Sequence, residues 1–218
     1  MRIHGWHAAV LVLAAATLAR APASAADLDV RVGDARGNPL ADAVVTIDGV
    51  GAPALDRAPA THVIDQSGLV FLPYLEVLRP GDRVVFHNSD RTQHHVYSFS
   101  PAKSFEFVLK PGESSPPLTF DRAGVVSAGC NIHDAMITYL FVTAAPWAAR
   151  TSDMGRVRIT GVPDGAWTVR VWHPLLRAGR KSPARQVVIA GKAPAPLAFR
   201  LELRPDPRRR ADPERVGY

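Results

Sequence analysis

Short apolar stretches that alternate with polar residues, each followed by a turn, recur along most of this chain. Residues 28–32 alternate with a period of two before a cluster of turn-forming residues, and residues 95–99 alternate in the same way. The 16 glycines and 19 prolines among 218 residues bring the turns too close together for many helices. Because a period of two buries one face of a strand, the sequence predicts an all-β fold of sandwiched sheets.

The first 25 residues have the pattern of an export signal. Arg2 precedes an apolar run over residues 8–19, and Ala23-Ser24-Ala25 is the small-x-small motif that a signal peptidase accepts. The apolar run is shorter than the roughly 20 residues that a membrane-spanning helix needs. We therefore expect cleavage after Ala25 and a periplasmic or secreted protein, with an uncleaved signal anchor as the alternative.

The single cysteine of the chain lies in a loop rich in soft metal ligands. Residues 129–136 place Cys130 close to His133 and Met136, and the pair His94-His95 stands upstream. Two imidazoles, one thiolate and a weak axial thioether are the ligand set of a blue-copper electron-transfer site. Zinc held by the cysteine and two histidines is an alternative, as are an inert buried thiol and an intermolecular disulfide.

Part of the formal net charge of +6 is concentrated at the C-terminal end of the chain. Five arginines and three acids follow from residue 204 onward, interrupted by prolines at 205, 207 and 213. This composition predicts a disordered, solvated basic tail over residues 204–218. Docking of the tail to an acidic partner or an anionic membrane surface is the alternative, and nucleic acid is not expected to bind an exported protein.

Several motifs in the middle of the chain resemble the plastocyanin and amicyanin class of cupredoxins. These are Pro80-Gly81-Asp82, Val85-Phe86-His87-Asn88 and the Cys-x-x-His-x-x-Met spacing of residues 130–136. Residues 97–103 and 129–134 look more narrowly like exported cupredoxin-domain proteins labelled methylamine-utilisation-like. The resemblance implies a Greek-key cupredoxin β-sandwich over residues 60–143.

The resemblance also implies a site for one type 1 copper ion. The implied ligands are His94, Cys130, His133 and Met136. His133 would be the electron entry point, and the Cys130 backbone would be the exit route. His95 departs from the plastocyanin pattern, in which an asparagine commonly follows the first ligand, and it is an alternative ligand. Asn88 and Asn131 are expected to orient the ligand loops through hydrogen bonds.

A second resemblance involves both ends of the chain. Residues 37–45, 151–157 and 162–167 are similar to the carboxypeptidase-regulatory-like sandwich, a smaller Ig-like or prealbumin-like fold. This predicts that residues 26–50 supply its first strands and residues 144–203 the remainder. The copper domain is then inserted into this second sandwich or packed edge to edge with it.

Together these features predict an exported, monomeric carrier of single electrons between redox protein partners whose identity the sequence does not give. No catalytic residues are assigned, and we expect no enzyme activity. A copper enzyme would pass electrons through histidines flanking the cysteine, whereas Gly129 and Asn131 stand there. A periplasmic copper-binding or delivery protein is the alternative, and an interaction module without electron transfer is another.

Overall fold

The computed structural model describes residues 25–54, 57–133, 135–177, 179, 181–206 and 208. Its regular elements are sixteen β-strands arranged in four sheets, which confirms the all-β sandwich prediction. Nearly all of the predicted signal peptide lies outside the described residues, and the described chain opens at Ala25 in the first strand. No helix among the described residues is long and apolar enough to cross a membrane.

Seven strands from the two ends of the chain form one sandwich, which we call the flanking sandwich. They are β1 (Ala25–Asp34), β2 (Val44–Asp48), β12 (Trp147–Arg150), β13 (Arg156–Pro163), β14 (Gly165–Trp172), β15 (Ala184–Ile189) and β16 (Leu197–Leu201). One sheet has the order β13-β1-β16 and the other has the order β12-β2-β14-β15. The inward side chains of β1, which alternate buried and exposed as its sequence predicts, pack with Trp167 and Phe199 in one apolar core.

The nine strands between them form a second sandwich, the central sandwich. They are β3 (Thr61–Gln66), β4 (Phe71–Leu72), β5 (Leu75–Leu78), β6 (Asp82–Asn88), β7 (His94–Ser100), β8 (Lys103–Leu109), β9 (Leu118–Phe120), β10 (Gly124–Cys130) and β11 (Ile137–Val142). The sheets have the orders β5-β11-β10-β7-β8 and β4-β3-β6-β9. Phe86 fills the space between them against Phe71, Phe105 and Phe107.

Hydrogen-bonded strand pairs keep the central strands together and join β1 and β2 to strands that follow residue 146. This connectivity is the one that insertion of the central sandwich into the flanking one requires. The exact domain boundaries, at residues 50, 60, 143 and 203, stay a prediction.

The two sandwiches meet at an apolar layer on the outer face of β5 and β11. Tyr74, Leu75 and Tyr139 pack there with Val44 and Trp172 of the flanking sandwich. An arginine from the predicted basic tail reaches the same layer, because Arg204 Nη2 donates to Tyr139 Oη at 3.0 Å. Another, Arg208, lies 3.5 Å from the centre of the Tyr74 ring. Most of the predicted tail lies outside the described residues.

Candidate metal centre

Strand β7 delivers the first histidine of the site. The side chains of His94 and Val96 are buried, whereas those of His95 and Tyr97 on the opposite face are only half-buried. Because successive strand residues point to opposite faces, only one histidine of the pair can face the interior. His94 is that residue, and His95 Nε2 instead lies 2.8 Å from Glu106 Oε1 on the outer face.

A tight loop between β10 and β11 delivers the other donors. The backbone N–H of Cys130 donates to the carbonyl of Met136 at 3.2 Å, and that of Met136 donates to the carbonyl of His133 at 3.1 Å. These bonds turn all three side chains towards the interior, where each is less than a tenth exposed. Asn131 N–H donates to the His95 carbonyl at 2.9 Å and so fastens the loop to β7. Asp134 lies outside the described residues.

The loop and the strand bring three donor atoms together. His94 Nδ1 and His133 Nδ1 each lie 3.7 Å from Cys130 Sγ. The ligand atoms of these three residues are all within 4.8 Å of one another, which marks them as a group that could hold a metal ion. The predicted residues His94, Cys130 and His133 therefore converge, and Met136 is buried in the core cluster that contains Cys130.

Asp90 fixes the orientation of the His94 ring. Its carboxylate accepts hydrogen bonds from the backbone N–H groups of Gly68, at 2.6 Å, and Leu69, at 3.1 Å. It lies 2.9 Å from His94 Nε2 and can only accept there, so Nε2 carries a proton. This arrangement points Nδ1 at the sulfur, which is how an outer carboxylate orients a metal-binding histidine.

Asn88 holds Asp90 in place. Its side chain is fully buried, and its Nδ2 donates to the carbonyls of Thr92 and Leu109. Its Oδ1 accepts from the backbone N–H of Asp90 at 3.0 Å. Asn88 thus organises the turn before β7, whereas the exposed Asn131 contributes mainly through its backbone.

The same groups control the protonation of the thiol. Burial raises the pKa of Cys130, but hydrogen bonds from His94, from the backbone N–H groups of Ile132 and His95, and from His133 outweigh it. The pKa is lowered to about 6 from an ordinary value of 9.0. Burial lowers the pKa of His94, yet its bonds with Cys130 and Asp90 raise it overall. The lowered pKa of Cys130 favours the thiolate, which is the form of the cysteine that binds a metal ion.

The donor geometry fits a small transition-metal ion. Bonds of about 2.3 Å to sulfur and about 2.0 Å to nitrogen, separated by an angle of about 120°, place the two atoms about 3.7 Å apart. Both sulfur–nitrogen distances in the cluster equal that value. One thiolate and two imidazoles, with Met136 in the same core cluster as Cys130, are donor types that suit copper, whereas a structural zinc site has four strong ligands.

Sequence reasoning did not identify Asp90 as a residue of the site. Its position could have identified it, because Asp90 stands four residues before the candidate ligand His94. It also follows the buried Asn88, whose side chain accepts a hydrogen bond from the Asp90 backbone. Other histidines lie away from the cluster. His62 Nδ1 lies 2.8 Å from Glu76 Oε1, and His173 is buried in the flanking sandwich.

Comparisons with known proteins give structural similarities only. No family model matches the chain, and no curated protein matches it. A copper-containing nitrite reductase from Thermus scotoductus SA-01 is 26% identical over 44% of this chain and 25% of its own length, with a TM-score of 0.36. This chain therefore spans about a quarter of that enzyme.

Two smaller proteins are similar over nearly their whole length. A mutant of amicyanin in its reduced Cu(I) form is 21% identical over 45% of this chain and 98% of its own, with a TM-score of 0.36. A purple cupredoxin from Nitrosopumilus maritimus is 20% identical over 38% of this chain and 99% of its own length, with a TM-score of 0.33. Every one of these similarities is confined to less than half of this chain, so the geometry of the site carries the functional assignment.

Proposed function

We propose that this protein is an exported carrier of single electrons with one type 1 copper ion bound by His94, Cys130 and His133. The observation that carries the proposal is the pair of equal 3.7 Å distances from Cys130 Sγ to the two Nδ1 atoms. Copper bound there would alternate between Cu(II) and Cu(I). Met136 would be the weak axial ligand that tunes the reduction potential.

The chain contributes a rigid, dry setting. His94 is fully buried, and the loop that carries Cys130 and His133 is bonded at both ends to strands of the same sheet. Ligands that cannot move when the oxidation state changes lower the reorganisation that accompanies electron transfer. Burial also keeps water away from the thiolate.

The same features argue for a carrier over a delivery protein. A protein that hands copper to an acceptor needs ligands that the acceptor can reach, and His94, Cys130, His133 and Met136 are all less than a tenth exposed. Gly129 and Asn131 beside the cysteine offer no histidine relay to a further metal. We therefore propose a monomeric, exported protein that has a protein redox partner and no enzymatic activity.

A copper titration followed by visible spectroscopy tests the proposal. We expect Cu(II) to produce an intense thiolate-to-copper charge-transfer band that disappears on reduction and is absent in Cys130→Ser. His133→Gln should lose or strongly shift the band, whereas the matched control His173→Gln should keep it, because the buried His173 ring contacts the backbone of Ala41 and Leu175 and not the metal site. A colourless protein that binds zinc equally well would contradict the proposal.

The carrier and delivery functions separate in a second measurement. Voltammetry of the copper-loaded protein should be reversible, and Cu(I) should stay bound when an apo copper acceptor is added. Ready transfer of Cu(I) to the acceptor, together with slow electron exchange, would favour delivery instead.

A further inference from the structure

The outer face of the sheet β13-β1-β16 carries arginines that have no role in the proposed copper site. Arg31 on β1 stands directly opposite Arg156 on β13, and both side chains are exposed. The exposed Arg200 of β16 faces Gly33, which follows Arg31 by two residues on β1. Neighbouring strands lie about 4.8 Å apart, and diagonal neighbours on one face lie roughly 7–8 Å apart. The three guanidinium groups can therefore reach one ligand above β1.

This arrangement of charges opposes the stability of the sheet. Like charges directly opposite each other on neighbouring strands are destabilising. The next pair on the same face shows the favourable alternative, because Arg158 Nη2 lies 2.8 Å from Asp29 Oδ2. Within the described part of the chain, no acidic side chain forms a salt bridge with Arg31, Arg156 or Arg200. A bound anion would remove the repulsion among these three arginines.

Two acids that are close to these arginines in the sequence interact elsewhere. The Asp34 carboxylate accepts hydrogen bonds of 2.8–2.9 Å from the backbone of Arg36 and from the backbone and side chain of Asn38. Asp153 lines a different cavity, which also contains His173. The three arginines therefore keep a local excess of positive charge.

A cleft of about 360 Å³ opens between the three arginines, and all of them line it. Gly33 also lines the cleft and has no side chain, so the space beside Arg200 stays open. The apolar side chains of Met154, which is 64% exposed, and Phe199, which is buried, complete the lining. The volume lies within the range of small-molecule sites. The cleft therefore combines positive charge with room for a ligand.

The donors fit a phosphate group better than a carboxylate. Each guanidinium group is a planar fork of N–H donors that matches the oxygens of either anion. A carboxylate offers two oxygens in one plane, whereas a phosphate monoester offers three acceptor oxygens around a tetrahedral centre and a charge near −2. Three guanidinium groups that arrive from three neighbouring strands can each bond to a different phosphate oxygen.

From this arrangement we infer that Arg31, Arg156 and Arg200 form a binding site for a phosphate group, carried by a soluble phosphate compound or by a lipid headgroup. The ligand binds without any bond being made or broken. The site lies in the flanking sandwich and is independent of the proposed copper function. It gives the flanking sandwich a binding role of its own.

A titration with inorganic phosphate at constant ionic strength tests the site. The side-chain Nε–Hε NMR signals of Arg31, Arg156 and Arg200 should shift and reach saturation. Arg156→Gln should weaken binding by about 5-fold, the upper range for one exposed ion pair. The matched control is Arg170→Gln, which removes the same charge from a half-exposed arginine that lies 3.4 Å from Asp48 in the other sheet of this sandwich. It should bind phosphate like the wild type.

Thermal unfolding supplies a readout that also controls for misfolding. Without phosphate, Arg156→Gln should melt at or above the wild-type temperature, because the substitution removes a like-charged pair. Phosphate should raise the melting temperature of the wild type more than that of the variant, because a ligand that binds only the folded protein stabilises it.

Vesicles identify which molecule carries the phosphate group. The protein is sedimented with vesicles that contain phosphatidylglycerol and, for comparison, with vesicles of phosphatidylcholine alone. Binding to the first kind only, reduced in Arg156→Gln and retained in Arg170→Gln, assigns the site to an anionic lipid headgroup. A saturable response to inorganic phosphate without vesicle binding assigns it to a soluble phosphate compound.

Three results would overturn the site. One is the absence of both a saturable phosphate response and vesicle binding. Another is equal weakening in Arg156→Gln and Arg170→Gln, which would mean that only the overall charge matters. The third is an equally strong response to acetate at the same concentration. Because copper takes no part in this binding, each of these results leaves the carrier proposal unchanged.

Discussion

The two sandwiches each bury a histidine, and the two residues behave in opposite ways. In the flanking sandwich, His173 Nε2 lies 3.1 Å from the Ala41 carbonyl, while its Nδ1 accepts from Leu175 N–H at 3.0 Å. In the central sandwich, His94 Nε2 bonds to Asp90 and its Nδ1 faces a thiol. Burial lowers the pKa of His173, whereas the partners of His94 raise its pKa despite burial.

The difference shows that burial alone does not make a metal site. The backbone satisfies both ring nitrogens of His173, so no lone pair is left for a ligand. The Asp90 carboxylate bonds only to Nε2 of His94, so Nδ1 remains available to bind a metal ion. The flanking sandwich therefore uses its histidine as structure, and the central sandwich uses its histidine as a ligand.

The largest expected effect is the loss of stability when one large aromatic side chain is removed from the core of either sandwich. Phe86→Ala in the central sandwich and Trp167→Ala in the flanking one should each lower the free energy of unfolding by about 3–5 kcal/mol, because each removes a large buried ring. Urea unfolding measures both. Only Phe86→Ala should also weaken copper retention, and equal copper loss in both variants would mean that the two sandwiches do not act separately.

The next effect is the titration of the thiol. In the metal-free protein, ultraviolet thiolate absorbance should appear with a midpoint near pH 6, against an ordinary pKa of 9.0, and be absent in Cys130→Ser. Because the folded pKa is lowered, the stabilisation is fully present above pH 9 and is lost as the pH falls through about 6. The stability difference between wild type and Cys130→Ser should shrink over that range. A midpoint near 9 would show that the neighbouring donors do not act on the sulfur.

Removing the negative charge of Asp90, which bonds to His94 Nε2, should have a smaller effect. Asp90→Asn removes the carboxylate that bonds to His94 Nε2 and should weaken copper binding by about 10- to 100-fold. Competition with a Cu(I) chelator measures the change. Asp121→Asn, at an exposed carboxylate of the same sandwich, should bind copper like the wild type. Equal affinity in both variants would remove Asp90 from the site.

The smallest effect concerns the contact between the sandwiches. Arg204→Gln removes the hydrogen bond to Tyr139 Oη and should lower stability by about 0.5–1.5 kcal/mol without changing the copper spectrum. Thermal unfolding detects it, and Arg200→Gln, an exposed arginine on β16, is the control. If the two variants have the same melting temperature, the Arg204 side chain does not stabilise the contact between the sandwiches.

Much of the architecture could be predicted from the sequence. Alternation with a period of two identified strands such as β1 and β7, since it directly records which face is buried. The loop between Cys130 and Met136 was visible as a ligand spacing because all its members are local. The Asp90 contact was not visible, because its meaning depends on the backbone of Gly68 and Leu69, more than twenty residues earlier.

The sequence by itself determined which donor atoms the chain can offer and that strands would present them. Only the tertiary structure decided which ring nitrogen of which histidine faces the sulfur, and which tyrosine covers Gly129. The physical reason is that donor type and strand period are properties of single residues and short segments. The hydrogen-bond partner of His94, and the ring that lies over Gly129, are set by strands that pair across long separations in the chain.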